Sequence, residues 1–333
     1  MDHQKWSLRF GAAVIACAVV MRIAAGGAFQ PLADFLAQPN IASFLIYLET
    51  GRIVRFSASE EDIPVFAGES AVPDFAVQAT EPQPVPEFSG ADAAFVEIKN
   101  NTSKKPDVEA LLETPLNWDL TGDEPAVLIL STHTTESYTK AGEDYEETSA
   151  FRTLDEDYNM LSVAGRLAEL LEAGGIRVVH DRQLHDYPSY NGSYSDARKS
   201  IESYLKEYPS IQLVLDIHRD AAGDNANQMT TSAMVDGKKS AQLMMVVGTN
   251  GSGLNHPDWQ ENLALALKLH VQLERLNPGV CRPINLRSQR FNQDESPGAL
   301  LIEVGAAGNT HAEAITAAEA LAEGILALAG GAN

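Results

Sequence analysis

The second half of the chain alternates between two hydrophobic patterns. Short, continuous apolar runs predict buried strands, and longer stretches with apolar residues at helical spacing lie between them. The predicted strands span residues 126–131, 176–180, 211–217, 242–247 and 298–304. The predicted helices span residues 159–173, 195–208, 259–276 and 312–329. This alternation predicts an α/β fold with a largely parallel central sheet flanked by helices.

The N-terminal segment has a different pattern. Residues 10–29 are apolar except for Arg22, and Lys5 and Arg9 precede them. Basic residues before an apolar run favour insertion with the N-terminus inside the cell and the rest of the chain outside. We therefore predict an uncleaved transmembrane anchor over residues 1–30. A cleaved signal peptide and a buried soluble helix are the alternatives.

Three further regions follow the anchor. Residues 31–56 contain an apolar patch that is too short to span a bilayer and predict a membrane-proximal segment. Residues 57–110 are acidic and rich in proline, which is typical of an extended linker. Residues 111–333 carry the alternating pattern described above and form the predicted folded domain.

The composition of the chain argues against some classes of function and structure. The formal net charge of the 333 residues is −22, from 46 acidic and 24 basic side chains. Such an acidic chain is repelled by phosphate backbones, which argues against nucleic-acid binding. The two cysteines, Cys17 and Cys281, are too few for a disulfide framework.

Ionisable residues collect where the predicted strands end. His133 and Glu136 follow the first strand, His218 follows the apolar run of the third, and Glu303 lies in the fifth. The carboxyl ends of neighbouring parallel strands meet at one edge of a sheet, so we expect these side chains to converge.

The residue types indicate zinc chemistry. His133 and Glu136, three residues apart, can share an ion from one tight turn, and His218 would complete a set that leaves a fourth position open. A further carboxylate must move a proton between water and the leaving group, and Glu303 suits that task. Each residue alone also fits an ordinary loop or strand position, so the hypothesis rests on their conjunction.

The loop after residue 182 contains several aromatic residues. Tyr190, Tyr194 and Arg198 are candidates to line a groove for sugar or peptide. A long loop packed by its own aromatic side chains is the alternative interpretation.

Three long strings resemble a known family. They are STHTTESY, the segment from DEDYNMLSVAGRL to SDARKSIESYL, and LVLDIHRDAA. In these strings the chain resembles the stage II sporulation protein P family, which consists of zinc-dependent N-acetylmuramoyl-L-alanine amidases of endospore-forming bacteria. The similarity covers residues 125–325.

The resemblance implies a function. It implies that residues 111–333 form an amidase-like catalytic domain that removes stem peptides from peptidoglycan during engulfment in sporulation, with cleavage of peptide cross-links as an additional activity. It also implies a membrane partner and a lytic transglycosylase partner. His133 and His218 would be zinc ligands and Glu303 the catalytic glutamate. The third ligand is Glu136 if the motif follows metallocarboxypeptidases, and Glu156 if it follows the general amidase pattern. We prefer Glu136, because a tight turn fixes both ligands with little ordering of the backbone.

Two other functions remain open at this point. One is a zinc carboxypeptidase or endopeptidase acting on wall peptides, for which Arg287 and Arg290 are available to capture a terminal carboxylate. The other is a non-catalytic scaffold that binds the wall and recruits partners.

Overall fold

The computed structural model describes residues 86–330, except for residues 117, 222, 225 and 226. The predicted anchor, the membrane-proximal segment and residues 57–85 of the predicted linker lie outside the described residues. Within the described part of the chain, no helix has the length and apolar character needed to cross a membrane.

A seven-stranded sheet forms the centre of the described region. Its strands lie in the order β1-β10-β9-β11-β4-β2-β3, and two small hairpins, β5-β6 and β7-β8, lie apart from it. The strands are β1 (Ile98–Asn100), β2 (Val127–Leu130), β3 (Val178–His180), β4 (Leu213–Asp220), β5 (Gly223–Asp224), β6 (Asn227–Gln228), β7 (Ala233–Val235), β8 (Lys238–Ser240), β9 (Leu243–Val247), β10 (Ile284–Leu286) and β11 (Ala299–Ala306).

Among the described residues, five α-helices accompany the strands. They are α1 (Val108–Glu113), α2 (Met160–Ala173), α3 (Ser193–Glu207), α4 (Trp259–Leu276) and α5 (His311–Leu328). Short 3-10 helices span Gly90–Phe95, Asn250–Ser252 and Gln293–Glu295.

The predicted architecture is confirmed. All five predicted strands and all four predicted helices are present within a few residues of their expected bounds. Local chemistry sets several of these bounds: the Asn159 side chain accepts a hydrogen bond from Leu161 N where α2 begins, and Thr310 and Glu313 form a capping box where α5 begins. Within the seven-stranded sheet, neighbouring strands are parallel except β9 and β11, which are antiparallel.

The predicted linker boundary at residue 110 needs correction. Ile98–Asn100 form the edge strand β1, which pairs in parallel with β10, and Gly90–Phe95 form a 3-10 helix. The ordered sheet therefore includes part of the segment assigned to the linker. The three-residue strand IKN is too short to show against the acidic, proline-rich composition around it.

The two faces of the sheet are packed differently. On one face, which we call the helix-packed face, Ile217 and Ile302 belong to a large apolar cluster with α2, α4 and α5. On the other, which we call the polar face, α3 packs on β2 and β4 through a smaller apolar cluster. Side chains two residues apart in a strand share a face, so Asp216, His218 and Glu303 lie on the polar face.

Candidate active site

The first part of the site is the turn that follows β2. Glu136 N donates a hydrogen bond to His133 O at 3.0 Å, which closes a tight turn. Thr134 Oγ1 donates to Ser131 O at 2.7 Å and fixes the start of the same turn. His133 and Glu136 are thus carried on one short, hydrogen-bonded segment, as the three-residue spacing predicts.

The second part comes from β4 and β11, which are parallel neighbours in the sheet. His218 of β4 and Glu303 of β11 are register partners. Asp216 precedes His218 by two residues and projects from the same face. The turn that carries His133 and Glu136 follows β2, and β2 pairs with β4. This pairing places the turn next to His218.

The structure brings the predicted ligand residues together. The imidazole rings of His133 and His218 have centroids 5.3 Å apart, and His218 Nδ1 lies 3.9 Å from Glu136 Oε2. All three residues are buried. Glu156 does not join them, because its side chain is 55% exposed and forms an ion pair with Arg182. The role of His133, Glu136 and His218 as ligands stays a prediction.

Burial and charge shift the proton affinities at this site. Burial would lower the pKa of His218, but Asp216, Glu136 and Glu303 outweigh it and raise that pKa to about 9. Burial raises the pKa of Glu303 to about 8. The pKa of His133 is lowered, mainly by burial. The site therefore favours a positive charge near His218 and a proton on Glu303.

Two arginines hold the Glu136 carboxylate. Arg152 Nη2 donates to Glu136 Oε1 at 3.2 Å, and the backbone N of Arg219 donates to Oε2 at 3.4 Å. Arg152 is itself anchored by an ion pair with Asp186, whose carboxylate also accepts hydrogen bonds from the backbone N and the hydroxyl of Thr135. Glu136 therefore has little freedom to rotate.

Hydroxyl and aromatic groups surround His133. Tyr190 Oη lies 3.2 Å from its Nε2, and Ser193 Oγ lies 3.3 Å from its Nδ1. The ring of Tyr190 stacks on His133 with centroids 4.6 Å apart and remains 55% exposed. Tyr194 contacts both imidazoles and also lines a neighbouring cavity of about 410 Å³.

The predicted groove residues have different positions. Tyr190 and Tyr194 flank the two imidazoles. Arg198 lines the cavity, but its guanidinium group forms ion pairs with Asp294 and Glu295. Arg290 lines the same cavity and also pairs with Asp294. These arginines are therefore committed to protein carboxylates.

The side chains suit a zinc ion by type and charge. Two imidazoles and one carboxylate are a catalytic zinc donor set, and the raised pKa of His218 shows that nearby carboxylates favour a cation. Glu303 Oε2 is buried without a hydrogen-bond partner among the described residues. Within the same residues, however, no group of three or more His, Cys, Asp or Glu side chains is arranged to hold a metal ion. The residues thus fit a zinc ion by the types of their donor atoms and by their charge.

Comparison with known proteins now identifies the family. The family model for stage II sporulation protein P matches residues 56–326, which is most of the chain. The chain belongs to the stage II sporulation protein P family. A curated member, stage II sporulation protein P of Bacillus subtilis (strain 168), is 28% identical over 214 residues. That match covers 61% of this chain and 51% of the relative, so the chain spans about half the relative's length.

Several solved structures that are named as N-acetylmuramoyl-L-alanine amidases have some structural likeness to this chain. An N-acetylmuramoyl-L-alanine amidase of Nostoc punctiforme is 16% identical with a TM-score of 0.36, covering 62% of this chain and 97% of that one. An N-acetylmuramoyl-L-alanine amidase from Clostridium difficile 630 is 17% identical with a TM-score of 0.36, covering 62% and 96%. TM-scores below 0.5 are too low to assign an activity to this family member.

Sequence reasoning missed several residues that support the site. Asp216, Arg152 and Asp186 are buried or half-buried groups that hold the predicted ligand residues in place. The sequence could have indicated Asp216, because an Asp two residues before a His in a buried strand lies on the same face of the sheet as that His. No local sequence pattern indicates Arg152 or Asp186, because their contacts join loops that are distant in the sequence.

Proposed function

We propose that this protein is a zinc-dependent peptidoglycan hydrolase that cleaves the amide between N-acetylmuramic acid and the L-alanine of the stem peptide, acting in engulfment during sporulation. The observation that carries the proposal is the convergence of His133, Glu136, His218 and Glu303 on the polar face of the sheet. Membership of the sporulation family supports the choice of substrate.

The residues divide the chemical tasks. His133, Glu136 and His218 would hold zinc, which when bound supplies a Lewis acid for the amide carbonyl. Glu303 takes the proton of the attacking water on its carboxylate and delivers it to the leaving nitrogen. Without metal the pKa of the buried Glu303 is about 8, and the charge of bound zinc would lower it, so that the side chain is a carboxylate before it takes that proton. Arg152 and Arg219 keep the Glu136 carboxylate in place throughout.

Product analysis of digested wall tests the proposal. The full chain, purified in detergent, is incubated with intact peptidoglycan and the products are identified by mass. Free stem peptides together with unshortened glycan are expected. Loss of terminal amino acids alone, or opened cross-links with the stem peptides still on the glycan, would support the peptidase alternative and refute the amidase.

Substitution of the histidines separates an enzyme from a scaffold. His133→Ala and His218→Ala are each expected to reduce digestion to background while the circular dichroism spectrum stays native. His270→Asn is the matched control, because His270 is also buried but lies on α4. Full digestion by the His133 and His218 variants, or by chelator-treated protein, contradicts a metal mechanism. No digestion by the wild-type protein favours the scaffold.

We also propose that residues 1–30 anchor the chain in the cell membrane with the catalytic domain outside the cytoplasm. The support is the basic head and apolar run in the sequence. The proposed partners are a lytic transglycosylase and a membrane protein of the engulfment machinery. Deletion of residues 1–30 should move the protein from the membrane to the soluble fraction, and retention in the membrane would contradict the anchor.

A further inference from the structure

Asp216 is a fully enclosed carboxylate beside the candidate zinc ligands. It lies on the polar face of β4, and its exposed fraction is 4%. Both of its oxygens are engaged: Oδ1 accepts a hydrogen bond from Thr132 N at 2.8 Å, and Oδ2 accepts one from Thr132 Oγ1 at 2.7 Å. The group is therefore held rigidly and cannot turn toward solvent.

The same carboxylate contacts His218. Oδ1 lies 2.9 Å from His218 Nε2, an ion-pair contact in which the N–H direction is not aligned as a regular hydrogen bond. The opposite nitrogen, Nδ1, is the one that lies 3.9 Å from Glu136 Oε2. The imidazole thus presents one nitrogen to Asp216 and the other to Glu136.

Asp216 also reaches the second imidazole indirectly. Thr132, which it binds through two hydrogen bonds, immediately precedes His133. One buried carboxylate therefore fixes the ring of His218 and the backbone from which His133 projects. A metal-binding histidine commonly has its other ring nitrogen held by a carboxylate, and loss of that partner weakens metal binding about 10–100-fold.

We propose that Asp216 is a positioning residue of the zinc site, which holds the Nε2 edge of His218 so that Nδ1 is the nitrogen that binds the metal. The inference rests on the proposed zinc site and adds the residue and the nitrogen that the site requires. Asp216 does not touch substrate in this scheme. It acts through His218 and through Thr132.

Zinc affinity of the full chain tests this role without using activity. Zn²⁺ is titrated into chelator-treated protein in competition with a chelating dye. Asp216→Asn preserves volume and is expected to weaken binding about 10–100-fold. Asp181→Asn is the matched control, because Asp181 is equally buried and lies 3.0 Å from the ring of His185, which is not a candidate ligand. Its zinc affinity should stay within about twofold of wild type.

A second variant covers the case in which Asp216→Asn does not fold. Thr132→Val removes the hydroxyl that binds Asp216 Oδ2 but keeps the shape of the side chain. A smaller loss of zinc affinity is expected, between those of Asp181→Asn and Asp216→Asn. Circular dichroism identifies a misfolded variant, and Thr132→Val with wild-type affinity then overturns the proposal.

Nitrogen NMR identifies the metal-binding nitrogen directly. In zinc-loaded wild-type protein with labelled histidine, the Nδ1 resonance of His218 is expected to move to the metal-bound position while Nε2 stays protonated. Coordination through Nε2, or equal zinc affinity of wild type and a folded Asp216→Asn, overturns the inference alone. If the wild-type protein binds no zinc at all, the proposed function fails as well, so the two failures are distinguishable.

Discussion

Ile302 and Glu303 are consecutive residues of β11, but they lie in opposite environments. Ile302 projects into the apolar cluster shared with α2, α4 and α5 and has no exposed surface. Glu303 projects from the polar face, where burial raises its pKa to about 8. The comparison shows that one face of the sheet provides stability, while the other tolerates unfavourable burial of charge to keep reactive groups close together.

The largest expected effect is a loss of activity caused by a substitution on the polar face. Glu303→Gln keeps the size of the side chain but removes its ability to move a proton. We expect the rate of wall digestion to fall about 10²–10⁴-fold, because that is the usual contribution of a general acid–base group. The measurement is the initial rate of stem-peptide release at saturating wall. A variant that retains more than half of the wild-type rate would contradict a proton-transfer role.

Substitution of the neighbouring residue, Ile302, should reduce stability and leave activity unchanged. Ile302→Ala removes buried methyl groups from the helix-packed face and is expected to lower the free energy of unfolding by about 2–5 kcal/mol. Urea unfolding measures this loss. The digestion rate, assayed well below the unfolding midpoint, should remain close to wild type. A loss of rate as large as that of Glu303→Gln would show that the two faces are not separable.

The pH dependence of stability sharpens the same comparison. Glu303 has a folded pKa of about 8 against an ordinary 4.5, and His218 one of about 9 against 6.5. Both folded pKa values are raised, so the stability that protonation provides is present at low pH and is lost as pH rises through these values. The lowered pKa values of other histidines, such as the buried His133 and the half-buried His180, act in the opposite direction below pH 6.5. In chelator-treated protein, the unfolding free energy should therefore decline between pH 6.5 and pH 8.

The Glu303→Gln variant isolates one part of that decline. Its unfolding free energy should fall less steeply between pH 6.5 and pH 8 than that of the wild type, because the contribution of Glu303 is removed. Ile302→Ala is the control and should shift the whole profile without changing its slope. Identical slopes for wild type and Glu303→Gln would rule out a raised pKa for Glu303.

The smallest effect is expected on the outer surface of the covering helices. Arg166 of α2 and Glu319 of α5 form an ion pair at 2.8 Å, and both side chains are about one-third exposed. Glu319→Gln should change the free energy of unfolding by less than about 1 kcal/mol, because solvent screens such pairs. Thermal unfolding in low and high salt provides the check, and the digestion rate should not change.

Hydrophobic spacing predicted the sheet because buried strands and amphipathic helices carry strong local patterns. The runs before His133 and before His218 are continuous and apolar, so their ends could be located closely. The edge strand β1 and its neighbour β10 have three residues each, and their pairing joins segments far apart in the sequence. No local pattern indicates such a pairing, and β1 was assigned to the linker.

The candidate site was predictable only in part. His133, Glu136, His218 and Glu303 stand out because they interrupt or follow apolar runs. Glu136 lies beside His218, whereas Glu156 is exposed and paired with Arg182, and the choice of Glu136 as the third ligand stays a prediction. The supporting contacts of Arg152 with Asp186 depend on loop conformation, which composition and spacing do not encode.

The order of the strands has a consequence for synthesis. The strand at the middle of the seven, β11, is the last one in the chain, and it separates β4 from β9. A ribosome must therefore translate the chain as far as β11 before the two halves of the sheet can be joined and before Glu303 can meet His218. A nascent chain that ends before β11 lacks the proposed catalytic centre, so the proposed activity cannot arise until that strand has been made.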